Sequence, residues 1–135
     1  MIKNISNIIT SKFNRSFRKN LIYTKLFKDE KDLVQSIITP TNSIPIISVF
    51  FNESEWIFIT PTEILMKKDS ISISILFKDI IDLKCDFKKY KNIKERDEIE
   101  IFTIRELYTV RFEKGSWGPM IDILAFLKNF NTENL

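Results

Sequence analysis

The hydrophobic periodicity of the chain changes once, and this change most constrains its fold. Before the segment TPTNSIP, residues 39–45, apolar residues recur every three or four positions, which is the spacing of a helix face. After this segment they alternate with polar residues in short runs, which is typical of β-strands. The two prolines of the segment prevent the helical pattern from continuing. The sequence therefore predicts an α+β protein with helices on the N-terminal side and strands after them.

Residues 1–43 are predicted to form a helical extension. Residues 1–28 contain seven basic residues and no acidic one, whereas the rest of the chain has 14 basic and 18 acidic residues. Apolar residues at helical spacing run from Ile2 to Leu21 and would share one face of a basic helix. A second helix is expected at about residues 29–38, where acidic residues precede an apolar stripe.

Residues 44–130 are predicted to form a β-domain of seven short antiparallel strands. The clearest strand is Ser70–Phe77, where Ile71 and three further apolar residues alternate with polar ones and are expected to face the core. The same alternation places Ile81 in the core, and Ile104 is expected in the strand that begins at Ile99. Seven short strands in so small a domain favour a small barrel or a strongly bent sheet.

The segment EKGSWGPM precedes the last predicted helix and holds both glycines of the chain. Gly115 is expected to make the turn and Ser116 to cap the helix, with Pro119 in the first turn, where its missing N–H costs little. An anion site at these glycines is the alternative, but the P-loop spacing and its Lys-Ser/Thr pair are absent. The helix, at about residues 117–130, is apolar around most of its circumference and is expected to cap the curved sheet, with residues 131–135 as a tail.

Three segments resemble the small bacterial members of the pleckstrin-homology-like superfamily. WIFITPTEILM (Trp56–Met66) is similar to their aromatic hairpin. ILFKDIIDLKCDF (Ile75–Phe87) is similar to the strand, short Asp-Ile step and strand that follow that hairpin. YTVRFEKGSWGPMIDILAFLKNF (Tyr108–Phe130) is similar to the last strand running into the capping helix. The resemblance covers about residues 44–130 and implies a barrel or bent sheet of seven strands capped by one helix.

The chain also departs from that superfamily in two ways. Lipid-binding members carry basic residues around the first hairpin, but the corresponding connection here is the acidic NESE, residues 52–55, which would repel phosphate. The tryptophan usually found inside the capping helix is absent, and Trp117 stands at the helix start instead. The resemblance therefore implies the fold and argues against an inositol-phosphate ligand.

The residue types argue against an enzyme. The chain has no histidine, which is the commonest general base and zinc ligand, and its one cysteine, Cys85, lies in an alternating apolar pattern typical of a buried residue. Two glycines leave no room for a nucleotide fingerprint. We expect no catalytic residue, cofactor or metal, and we expect a cytoplasmic protein, because no leader or membrane-length apolar run is present.

Two surfaces are candidates for binding. The first consists of the acidic hairpin residues Glu53 and Glu55, together with Tyr90 in the charged loop KKYKNIKERDE, and it predicts a protein partner. Among proteins of this kind, a bacterial immunity or inhibitor-type protein fits the absence of catalytic motifs.

The second surface is the basic helix, represented by Arg15, Arg18 and Lys19. It predicts peripheral association of residues 1–28 with an anionic membrane, at the inner face of the cell membrane. The alternative is that the apolar face of this helix packs on the domain and its basic face is only solvated. No recognised motif favours nucleic acid.

Overall fold

A computed structural model describes residues 2–17, 21–26, 45–84 and 97–133. The chain divides into two compact units, Met1–Ile75 and Leu76–Leu135. The predicted boundary between residues 43 and 44 lies at the edge of a segment outside the described residues and stays a prediction. The described residues form two helices and eight strands, so the protein is α+β as predicted.

The first unit contains helix α1 and a sheet of five strands that are hydrogen-bonded in chain order. The helix spans Ile2–Ser16, and its Ile5 and Ile9 side chains are buried. The strands are β1 (Thr24–Leu26), β2 (Ile47–Asn52), β3 (Glu55–Ile59), β4 (Glu63–Lys68) and β5 (Ile71–Leu76).

The central strand β3 is buried on both of its faces. Trp56 and Phe58 lie on one face, Ile57 and Ile59 on the other, and all four side chains are nearly inaccessible to solvent. The register is regular, since Ile57 lies opposite Met66 of β4. A strand that is buried on both faces is the centre of the hydrophobic core of this unit.

The second unit consists of a three-stranded antiparallel sheet and the C-terminal helix. A single 3-10 turn (Phe77–Asp79) leads into β6 (Ile80–Lys84), which pairs with β7 (Glu98–Thr103), which in turn pairs with β8 (Leu107–Arg111). Helix α2 (Trp117–Glu133) packs on the 3-10 turn, β6 and β7. The core of the unit is formed by the buried side chains Phe77, Ile99, Ile101, Val110, Phe112, Met120, Ile123, Leu124 and Leu127.

The start of α2 has the predicted turn, and Ser116 precedes the helix, but its side-chain hydrogen bond runs back to the turn and does not cap a helix N–H. Gly115 has φ +89°, a left-handed conformation that glycine adopts readily and other residues rarely do. Ser116 is the residue before the helix, and its carbonyl oxygen accepts the N–H of Met120 at 2.9 Å. Its hydroxyl donates to the Glu113 carbonyl oxygen at 2.7 Å and therefore closes the turn.

Both units use the same Thr-x-x-Glu turn between strands. In the first unit the Thr60 hydroxyl donates to the Glu63 carbonyl oxygen and accepts the Glu63 N–H, both at 2.9 Å. In the second, Thr103 makes the same two hydrogen bonds with Glu106, at 2.9 and 3.1 Å. Because these hydrogen bonds join residues only three positions apart, each turn is stabilised by its own local sequence.

Two architectural predictions were wrong. The described strands form separate sheets of five and three rather than one closed barrel or one seven-stranded sheet. The predicted basic helix of residues 1–28 is also too long, because α1 ends at Ser16 and Thr24–Leu26 form strand β1. The second predicted helix, about residues 29–38, lies outside the described residues, and the capping helix runs three residues further than expected, to Glu133. The assignment to the pleckstrin-homology-like superfamily stays a prediction.

Three isoleucines of the predicted strands are exposed. Ile71 begins β5 with 64% of its surface accessible, and Ile81 lies at a register shift of β6. Ile104 was predicted in a strand, but it lies in the β7–β8 turn with 78% accessible. Alternation correctly indicated β5 and β6, but it does not distinguish a core face from an exposed face.

Candidate protein-binding surface

The turn between β2 and β3 brings the two acidic residues of the predicted binding site together. Asn52 lies opposite Glu55 in the register, and its Oδ1 accepts the Ser54 N–H at 2.8 Å. Asparagine stabilises tight turns through this local hydrogen bond. Glu53 is exposed at the tip of the turn and Glu55 is half-buried at the start of β3. The turn therefore presents concentrated negative charge on a short, ordered connection.

Strand β1 places an aromatic residue beside this turn. Thr24 lies opposite Val49, and the Phe50 N–H donates to the Tyr23 carbonyl oxygen at 3.0 Å. The Tyr23 and Phe51 rings are 5.1 Å apart, centroid to centroid, and tilted by 51°. The β2–β3 register shifts between Phe50 and Asn52, so Phe51 lies at a β-bulge, a feature that redirects a side chain.

We use the name aromatic-acidic corner for five residues next to the paired strands β1 and β2 and in the β2–β3 connection: Ile22, Tyr23, Phe51, Glu53 and Glu55. Ile22 is 68% exposed and Tyr23 is 41% exposed, while Phe51 is half-buried. Large apolar groups this accessible, next to a polar rim, are the usual composition of a protein-binding hot spot. Tyrosine suits such a surface because it combines a rigid apolar ring with a hydroxyl group.

The buried residues beneath the hairpin give the corner a rigid support. Trp56 lies opposite Phe50, and its ring is 4.6 Å from the ring of Phe58. Phe50 and Leu65 pack against this pair. A binding surface supported by packed strands loses little conformational freedom when a partner binds.

The structure describes only part of the predicted basic surface. Arg15 is exposed on α1, and its Nε donates to the Ser11 carbonyl oxygen at 3.4 Å. Ile5 and Ile9 of the same helix are buried, so these two members of its apolar face pack within the protein. Arg18 and Lys19 lie outside the described residues, and so does Tyr90 of the charged loop.

Exposed large apolar residues of the second unit include Ile81, Ile104 and Leu107. Next to Leu107 in the sequence, the Tyr108 hydroxyl donates to Glu106 Oε1 at 2.7 Å. This hydrogen bond to a carboxylate raises the pKa of Tyr108; partial desolvation and the negative charge of Glu106 also raise it, and Arg105 lowers it. The hydrogen bond links the β7–β8 turn to strand β8.

An open groove of about 280 Å³ runs between β6 and α2 in the second unit, and its polar lining includes Asp82, Asp122 and Lys128. Asp82 Oδ2 lies 3.6 Å from Lys84 Nζ, with both side chains more than half exposed. The groove is open to solvent, and the ion pair at its edge is solvated. Within the described ranges, no three acidic or cysteine side chains converge as metal ligands.

No helix in the described part of the chain has the length and apolarity that a membrane-spanning segment requires. No protein-family model, curated protein or solved structure matches the sequence or the fold of this chain.

The sequence predicts a binding role for Glu53 and Glu55 of the corner and does not single out Ile22, Tyr23 and Phe51. Its pattern places Ile22 and Tyr23 in the basic helix and Phe51 at the end of a strand. The signal that could have found β1 is the run IYTKL, residues 22–26, which is rich in residue types that favour strands.

Proposed function

We propose that this protein is a non-catalytic protein-binding module whose aromatic-acidic corner is its contact surface. The observation that supports the proposal is the exposure of Ile22 and Tyr23, together with the contact of the Tyr23 ring with Phe51, which stands two residues before Glu53 of the acidic turn. The partner would offer an apolar pocket for the aromatic and aliphatic groups and basic residues around that pocket.

The action that suits such a module is occlusion or tethering of its partner. A rigid corner with an aromatic anchor binds a concave site, as inhibitory proteins do, and needs no chemistry of its own. Among protein-binding modules, we propose that this chain is a bacterial immunity or inhibitor-type protein. The pleckstrin-homology-like superfamily is the proposed fold family, supported by the three sequence segments that resemble it.

Association of residues 1–28 with an anionic membrane also stays a prediction. The burial of Ile5 and Ile9 supports the alternative interpretation of this segment, in which its apolar face packs in the protein. A helix that uses part of its apolar face for packing has less of that face left to insert among lipids. For this reason we favour a protein partner.

The test is affinity capture from the cell that makes the protein, with three full-length baits. The parent chain should retain one protein at one-to-one stoichiometry. The double variant Tyr23→Ala/Glu53→Lys should lose it by at least about 30-fold in affinity, since hot-spot truncations cost about 2 kcal/mol or more. The control Thr109→Ala, at an exposed position of β8, should retain it.

Point variants serve this test better than removal of residues 1–28. That deletion would take away the buried Ile5 and Ile9 of α1 and the whole of β1, which pairs with β2. Equal capture by the parent and the double variant would contradict the proposal. Capture that depends on lipid vesicles would instead support the membrane interpretation.

A further inference from the structure

Strand β5 differs from the other edge strands that the structure describes. The edges of the two sheets are β1 and β5 in the first and β6 and β8 in the second. Three of these edges carry charged residues: Lys25 in β1, Asp82 and Lys84 in β6, and Arg111 in β8. Charged edges disfavour pairing with another chain. β5 reads ISISIL and contains neither a charge nor a proline.

The same strand is ordered on one side and open on the other within the described residues. The two-residue turn that joins β4 to β5 has positive φ at both Asp69 and Ser70 (51° and 66°), which is the geometry of a tight hairpin. The Ser74 hydroxyl donates to Glu63 Oε2 of β4. Ser72 and Ser74 are exposed, and Ile71 is mostly exposed, so β5 is an ordered and accessible edge.

The sequence of β5 is also palindromic, because Ile71-Ser72-Ile73-Ser74-Ile75 reads the same in both directions. Two copies that pair antiparallel about a two-fold axis at Ile73 place like against like. Ile71 of one copy lies opposite Ile75 of the other, and Ser72 lies opposite Ser74. Cross-strand pairs of β-branched residues and of hydroxyl residues are favourable in antiparallel sheets.

We propose that β5 is a self-association edge through which two copies of this chain pair antiparallel, centred on Ile73. The two five-stranded sheets then become one continuous sheet. The palindrome favours a second copy of β5 as the strand that pairs with this edge, because like residues then lie opposite each other. An unrelated peptide would not gain this matching from the palindrome. A single strand pair buries less than a standard interface, so the dimer is expected to form with rising concentration. This inference is independent of the proposed function.

The test is sedimentation equilibrium of the full chain over a wide concentration range. The parent mass should rise from 16.0 kDa to twice that value. Ile73→Lys and Ile73→Glu should each remain monomeric, because two like charges would face each other across the axis. An equimolar mixture of the two variants should restore the doubled mass. The matched control Ile104→Lys makes the same change at an exposed isoleucine outside β5 and should dimerise like the parent.

A second design covers the case in which a charged residue at position 73 prevents folding. In a Cys85→Ser background, Ile73→Cys should form a disulfide-linked dimer on oxidation, since directly opposed residues lie within disulfide range. Ile71→Cys should not, because it faces position 75 of the other copy. A parent chain that stays monomeric, a dimer that survives Ile73→Lys, or equal cross-linking at positions 71 and 73 would overturn the proposal.

Discussion

Replacing Gly115 by alanine should destabilise the protein, whereas the same replacement at Gly118 should not. Both glycines lie in EKGSWGPM, and an added Cβ would meet no atom of a non-neighbouring side chain within 4 Å at either position. Packing therefore does not distinguish the two sites. They differ in backbone conformation, because Gly115 has φ +89° and Gly118 lies in the first turn of α2.

The expected magnitudes follow from this difference. A left-handed backbone costs an alanine about 1–2 kcal/mol, and the reduced flexibility of the unfolded chain offsets about 0.4–1 kcal/mol of that. The net loss at Gly115 is therefore about 1 kcal/mol. At Gly118 the greater helix propensity of alanine favours the folded state by roughly 0.5 kcal/mol, and the contact of its Cβ with the ring of Pro119 offsets part of this gain.

Thermal unfolding followed by circular dichroism measures both effects in the same unit of the protein. A difference of up to about 1.5 kcal/mol in a chain of this length separates the two melting temperatures by up to roughly 5 °C. Gly115→Asn should melt between Gly115→Ala and the parent, since asparagine tolerates this conformation better than alanine. Equal melting temperatures for the two alanine variants would refute the assignment of the turn to Gly115.

Three further predictions concern hydrogen bonds and packing. Thr60→Val should lower the free energy of unfolding by about 1–3 kcal/mol, and Thr103→Val should lower it by less, because Thr60 is buried and Thr103 is only half-buried. Urea denaturation of the two variants measures both changes. Glu106→Ala should lower the pKa of Tyr108 towards its usual value, measured by absorbance in a Tyr23→Phe/Tyr90→Phe background. In the parent the folded state keeps this proton to higher pH than the unfolded state, so stability should fall as the pH rises through the range between the two values. Ile9→Ala should cost about 2–5 kcal/mol and the neighbouring Ile8→Ala much less, because Ile9 is buried and Ile8 is exposed; equal effects would contradict the packing of α1.

The period of the hydrophobic residues predicted most strands from Ile46 to Phe112, and also the last helix, because each is a local pattern. It did not predict β1, since three residues are too few to show a period and they follow a helical stretch directly. The exposure of Ile71, Ile81 and Ile104 was not predictable either. Alternation is the same for an edge strand and a buried one, and what covers a strand is decided by distant residues.

The residues of the candidate site also differ in how far the sequence predicts them. Charge in the sequence was sufficient to single out Glu53 and Glu55, and Asn52 orders their turn through a local bond. Ile22 and Tyr23 join them only through the pairing of β1 with β2, across a sequence separation of more than 20 residues. No local pattern reports a contact of that kind.

The most direct test of the aromatic-acidic corner is site-specific photo-cross-linking in the living cell. A photoreactive phenylalanine analogue would replace Tyr23 in the full chain, and Thr109 in a matched control. Each of these two variants would be compared with and without the additional change Glu53→Lys. The account predicts one discrete protein adduct at position 23 that weakens when Glu53 is changed, and none at position 109. Absence of an adduct at position 23, or the same adduct at both positions, would contradict the claim that this corner binds a protein partner.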